Sequence, residues 1–156
     1  MDHLLIINGT VVSGESSSEA DILVKNGTIA ETGSLQPSRF AGCQVIDAKG
    51  KLIFPGGIDP HVHLQLPTPA GPSCDDFISG SKAALSGGTT FVIDFVTPAR
   101  GESLVKALTL RLQESNNCLV DYTLHMGITW FDETIPEQME WCVNEVGIKS
   151  FKVYLA

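Results

Sequence analysis

Two histidines one residue apart, His61-Val62-His63, are the first residues in this chain whose types and spacing suggest chemistry. If residues 58–64 form a strand, alternation points His61 and His63 to one face and Val62 to the other. Two imidazoles on one face, near the C-terminal end of a strand, can bind one divalent metal. The alternative is a pair of polar loop histidines, and H-x-H alone does not decide between them. Lys152 is the second candidate. On a strand over residues 148–156 it shares a face with Ser150 and Ala156, while Phe151, Val153 and Leu155 face the covering helices. Lys149 has that opposite parity but sits at the strand's entrance, where it can reach solvent. An inward Lys152 is expected to have its charge disfavoured by burial. A neutral amine can take up carbon dioxide as a carbamate, an anionic donor able to bridge two metal ions. Pairing with a buried carboxylate such as Asp94 is an equal alternative.

Other polar residues carry weaker signals. Asp94 has parity with Val92 and could face inward. His125 shares a face with Asp121, Thr123 and Gly127 on a third strand. For both, a structural hydrogen-bonding role outweighs metal ligation. Asp59 shares a face with His61 and could orient it. Asp75 and Asp76 begin a helix, where the dipole favours acids.

The elements that must position these residues follow from periodicity. Residues 1–54 are β-rich, and Asn8-Gly9 and Asn26-Gly27 both read as tight hairpin turns. Short strands around Val45-Ile46 and Leu52-Ile53-Phe54 complete this segment, which holds no cluster of chemical groups. From Pro55 strands and helices alternate. A strand over 58–64 leads to a Pro- and Gly-rich loop over 65–72. Ser73 and Asp76 are read as a capping box for a helix to Ser86, stopped by Gly87-Gly88. A strand over 89–95 precedes a helix marked by Leu104, Leu108 and Leu112. A strand over 121–129 precedes a helix capped by Thr134 and Glu137, with Met139 and Val143 inward, ending at Gly147. The strand over 148–156 is the fourth. Such alternation implies a parallel sheet, doubly wound or closed into a barrel. Four units make half of a (β/α)8 barrel, preceded here by a small β-rich segment.

Bulk properties exclude some classes. A net charge of −8 disfavours nucleic acid and anionic membranes as partners. No apolar stretch reaches membrane-spanning length, and the start carries no basic region typical of a secretory signal. Cys43, Cys74, Cys118 and Cys142 are scattered, which predicts free, buried thiols in a reducing cytoplasm.

With these residues in place, the chain resembles the dihydropyrimidinase/D-hydantoinase family of cyclic amidohydrolases. The resemblance is carried by residues 55–67, which include Pro55-Gly56-Gly57-Ile58-Asp59-Pro60-His61-Val62-His63. It continues through Asp75-Asp76-Phe77, Gly87-Gly88-Thr89-Thr90, Ile93-Asp94-Phe95, Asp121-Tyr122 with His125, and Ser150-Phe151-Lys152-Val153-Tyr154. It implies an α/β architecture: a β-sandwich segment over 1–54, then the first four strands of the metal-dependent barrel over 55–156. It also implies two zinc ions, with His61 and His63 binding one and Lys152, as N6-carboxylysine, bridging both. Leu66 would line the substrate pocket. The family's remaining ligands, its proton-shuttling aspartate and its carbonyl-polarising tyrosine find no match among these residues, so the general acid/base is expected beyond Ala156 and residues 1–156 alone are expected to be inactive. The implied reaction opens the cyclic amide of dihydropyrimidines or hydantoins to N-carbamoyl amino acids, in a cytoplasmic homotetramer. Gln65 stands where dihydroorotases place an arginine, which argues against a carboxylated substrate. Allantoinase, and a truncated non-catalytic partner of a full-length relative, remain as alternatives.

Overall fold

The computed structural model describes residues 3–154, which divide after Pro55 into two compact units. In the first, β1 (His3–Val12) pairs antiparallel with β2 (Ser17–Lys25), which pairs antiparallel with β3 (Thr28–Gly33). On its other edge β1 runs parallel to β4 (Gln44–Asp47) and β5 (Leu52–Ile53). Leu5, Leu23 and Leu35 form the buried centre of this unit.

The two Asn-Gly pairs resolve differently. Asn26 and Gly27 have φ of 51° and 76° and make the expected tight turn between β2 and β3. Asn8 also has positive φ, at 63°, but makes no turn: β1 continues through it with a register shift between Ile6 and Gly9, a β-bulge. Asp21 accepts from the Asn8 main-chain N–H at 2.9 Å, and the Asn8 amide donates to Asp47 at 2.9 Å. The left-handed propensity of Asn is read correctly from sequence; whether it bends a chain or bulges a strand is decided by these partners.

The second unit begins with β6 (Gly57–Asp59), followed by a two-stranded ribbon, β7 (Pro67–Thr68) and β8 (Gly71–Pro72). Then come α1 (Phe77–Ser86), β9 (Thr89–Val96), α2 (Leu104–Glu114), β10 (Asp121–Ile128), α3 (Ile135–Trp141) and β11 (Phe151–Val153). The four longer-range strands form one parallel sheet in the order β11-β10-β9-β6, as the alternating pattern requires. Its apolar layer includes Val96, Leu104, Leu108, Leu124, Met126 and Ile135. Leu104 and Leu108, both fully buried, each contribute about 1.5–3 kcal/mol by leaving water.

Several local expectations are corrected. The strand foreseen over 58–64 ends at Asp59, because Pro60 has no N–H to extend the ladder. The capping box lies one turn later than expected: Asp76 is the N-cap, accepting from Ser79 N–H at 2.7 Å while Ser79 Oγ receives the Asp76 N–H at 3.1 Å. Thr134 makes no side-chain cap on α3; its N–H and hydroxyl both donate to Asp132. Val143, expected inward, is exposed, because α3 passes into a wider π-helical turn over Cys142–Val146 that brings Cys142 inside. Of the four free cysteines only Cys142 is buried, and Cys74 is exposed. Leu155 and Ala156, assigned to the fourth strand, lie outside the described residues. No helix among the described residues is long and apolar enough to cross a membrane.

Candidate metal centre

His61 and His63 lie just past β6, in a segment that still follows the sheet because Val62 N–H donates to Ile93 O at 3.0 Å. Their Nε2 atoms converge to 3.2 Å. Two imidazole nitrogens held tetrahedrally on zinc at about 2.0–2.1 Å would stand about 3.3 Å apart, so the pair has the spacing of two ligands on one ion. The same spacing lets one ring donate to the other when no cation is bound. Burial first, and then the neighbouring His61, hold His63 below its ordinary pKa of 6.5, which favours the neutral form a metal requires. Asp59 does not orient the His61 ring; its Oδ1 accepts from the His61 main-chain N–H at 3.1 Å.

The segment is held from several sides. Asp94 Oδ2 accepts from Leu64 N–H at 2.9 Å, and Arg111 donates to Leu64 O. The Leu64 side chain packs on α1 at Gly80, where a Cβ would come within 2.3 Å of it. Ser73, released from capping duty, donates to His63 O at 3.3 Å and accepts from Leu66 N–H at 2.9 Å. Gln65, at φ 48°, turns the chain between these anchors.

Asp94 itself is fully buried on the face of Val92 and Val96, and Arg111 of α2 pairs with it at 3.0 Å. The parity with Val92 was right, but that face meets the helices. This removes Asp94 as the partner of Lys152. The opposite face carries Phe95, and its ring is a common floor: the ring centroids of His61, His63 and His125 lie 4.6, 4.9 and 4.8 Å from it. Lys152 Nζ stands 4.4 Å above the same ring, so the lysine lies on the histidine side of the sheet. It forms no ion pair with any described carboxylate. His61, His125, Ser150 and Lys152 line one open depression. Leu66 is elsewhere, lining a small cavity against α2 with Ala107, Leu110 and Arg111.

Among the described residues no group of three or more His, Cys, Asp or Glu could hold a metal ion. The arrangement therefore offers two imidazoles and one lysine, and a complete shell needs further donors. Sequence reasoning missed Arg111 and the Phe95 floor. Arg111 carried a signal: it sits three residues after Leu108 on the buried stripe of α2, where a guanidinium needs a buried acid.

No family model matches the chain. Individual proteins do. The chain is 46% identical to the dihydropyrimidinase of Dictyostelium discoideum, over 98% of its own length and 30% of that protein. It is 43% identical to the D-hydantoinase of Geobacillus stearothermophilus, over 97% of its own length and 32% of that protein. Along nearly its whole length the chain is similar to members of the dihydropyrimidinase/D-hydantoinase family. Among solved structures, the D-hydantoinase (dihydropyrimidinase) from Thermus sp. superposes with a TM-score of 0.92 and 41% identity, covering 98% of this chain and 33% of that one. The chain spans about 30% of the length of the curated relatives it matches.

Proposed function

We propose that the protein is a zinc-dependent hydrolase that opens the cyclic amide of dihydropyrimidines or hydantoins to N-carbamoyl amino acids. The observation that carries this reading is the 3.2 Å convergence of His61 and His63 Nε2, with Lys152 on the same side of the sheet. His61 and His63 would hold one zinc, and Lys152, as N6-carboxylysine, would bridge it to a second. Bound zinc supplies an activated water at neutral pH and polarises the ring carbonyl. The chain's own part is positional. Phe95 fixes the planes of the imidazoles, while Asp94, Arg111 and Ser73 hold the backbone on which His63 rides. The first unit is read as part of a small β-sandwich, and the second as the first four strands of a (β/α)8 barrel. Leu66 is proposed as a pocket residue on the family resemblance alone, since its side chain lines the cavity against α2. The remaining ligands and the general acid/base lie outside these residues on this reading, in a cytoplasmic homotetramer.

The test is hydrolysis of dihydrouracil and hydantoin by the full-length protein, before and after chelation and zinc return. Chelator-sensitive ring opening restored by zinc is expected. Turnover indifferent to chelation and to His61→Ala would overturn the proposal.

A further inference from the structure

His125 is the one imidazole of the depression with both ring nitrogens already engaged by the protein. It projects from β10, and in the sheet order β11-β10-β9-β6 it reaches the residues adjoining both outer strands, Ser150 before β11 and Pro60 after β6. On one side its Nδ1 meets Ser150 Oγ, two residues before Lys152. On the other its ring crosses β9 above Phe95, and Nε2 lies 3.1 Å from the carbonyl of Pro60, immediately before His61. That carbonyl can only accept, so Nε2 carries the proton; in the neutral ring Nδ1 then accepts from the Ser150 hydroxyl. One side chain thus ties the segment of His61 to the segment of Lys152, although β6 and β11 share no hydrogen bonds.

We infer that His125 is a positioning residue that sets the separation of His61 and Lys152, and is not itself a metal ligand. The inference rests on the proposed metal centre. Ligating either nitrogen would cost one of these contacts, and both contacts end beside a candidate ligand. Outer partners of this kind typically change metal affinity by about 10- to 100-fold.

The experiment uses the full-length protein and reads zinc affinity by chelator competition, thermal unfolding, and the visible spectrum after cobalt substitution. His125→Phe keeps a ring over Phe95 but loses both hydrogen bonds. It should weaken zinc about 10- to 100-fold at full stoichiometry, with the cobalt spectrum retaining its ligand pattern. His125→Gln, able to donate towards Pro60, should recover part of the loss. Should His125→Phe fail to fold, Ser150→Ala, which removes one hydroxyl, should still weaken zinc several-fold with an unfolding midpoint close to that of the unsubstituted protein. Unchanged affinity in the folded variants would overturn the inference, as would loss of one zinc equivalent with a changed cobalt spectrum, which would make His125 a ligand. Zinc missing from the unsubstituted protein would instead bring down the metal-centre reading, and this inference with it.

Discussion

Arg111 and Asp94 pair at 3.0 Å behind the sheet, and between them they grip both main-chain groups of Leu64, the residue after His63. The contact spans 47 residues from Arg111 to Leu64, so it couples the packing of α2 to the placement of the histidine segment. The guanidinium also stacks on Phe77 at 4.6 Å and binds Glu114 at 2.8 Å.

Removing Arg111 should therefore be costly. Asp94 is fully buried, and stranding one member of a buried pair typically costs about 3–5 kcal/mol. Arg111→Met is expected to lower stability by that order in urea unfolding, and Asp94→Asn combined with it should recover part of the loss. An Arg111→Met change below about 1 kcal/mol would show the pair to be dispensable.

His61→Ala and His63→Ala should each lower bound zinc and dihydrouracil hydrolysis in the full-length protein. Two nitrogens at the spacing of a shared ion cannot replace one another, so each loss should exceed the about 10- to 100-fold seen for outer partners. Full zinc occupancy in either variant, by metal analysis, would mark the pair as structural.

How much of this was legible in the sequence depended on whether the deciding contact was local. The H-x-H spacing brings the two rings to one side even though β6 stops at Asp59, because Val62 keeps its bond to Ile93. Lys152 followed from parity for the same reason. Parity could not say which face of β9 meets helices, and so it left open the side to which Asp94 turns. Its true partner is 17 residues along the chain and reaches it only once α2 packs on the sheet. Likewise Ser73 and Asp76 each satisfy a cap pattern, and the choice fell to Asp76 because Ser73 is drawn to His63 and Leu66.

Asp76 carries a pH prediction. The Ser79 main-chain N–H, with help from its hydroxyl, holds this carboxyl below its ordinary value of 3.8. A depressed carboxyl pKa means the unfolded chain binds the proton more tightly, so the cap stabilises above 3.8 and is lost as pH falls through the folded value. Asp76→Asn keeps an acceptor without the charge. Its midpoint deficit against the unsubstituted protein should be present at neutral pH and should vanish in acid. A deficit that does not change with pH would show that the charge contributes nothing.

Lys152 in the full-length, zinc-loaded protein should carry a carbamate. Its Nζ lies over Phe95 at 4.4 Å and Tyr154 at 5.4 Å, on the side where His61 and His63 converge. As an ammonium there it would repel any cation bound by the histidines, at close range and partly shielded from water. The ammonium loses one proton to become the neutral amine and a second when that amine adds carbon dioxide, so carbamate formation exchanges a positive charge for a negative oxygen donor. Metal and carbamate should then stabilise each other, so uptake of labelled bicarbonate should rise with zinc and fall in acid. Carbon NMR of protein loaded with labelled bicarbonate should show a carbamate resonance that Lys152→Ala removes. Zinc binding should fall in that variant, and a small carboxylate such as propionate should restore part of it by occupying the vacated space. An uncarboxylated Lys152 with both zinc ions bound would mean that another group bridges the metals.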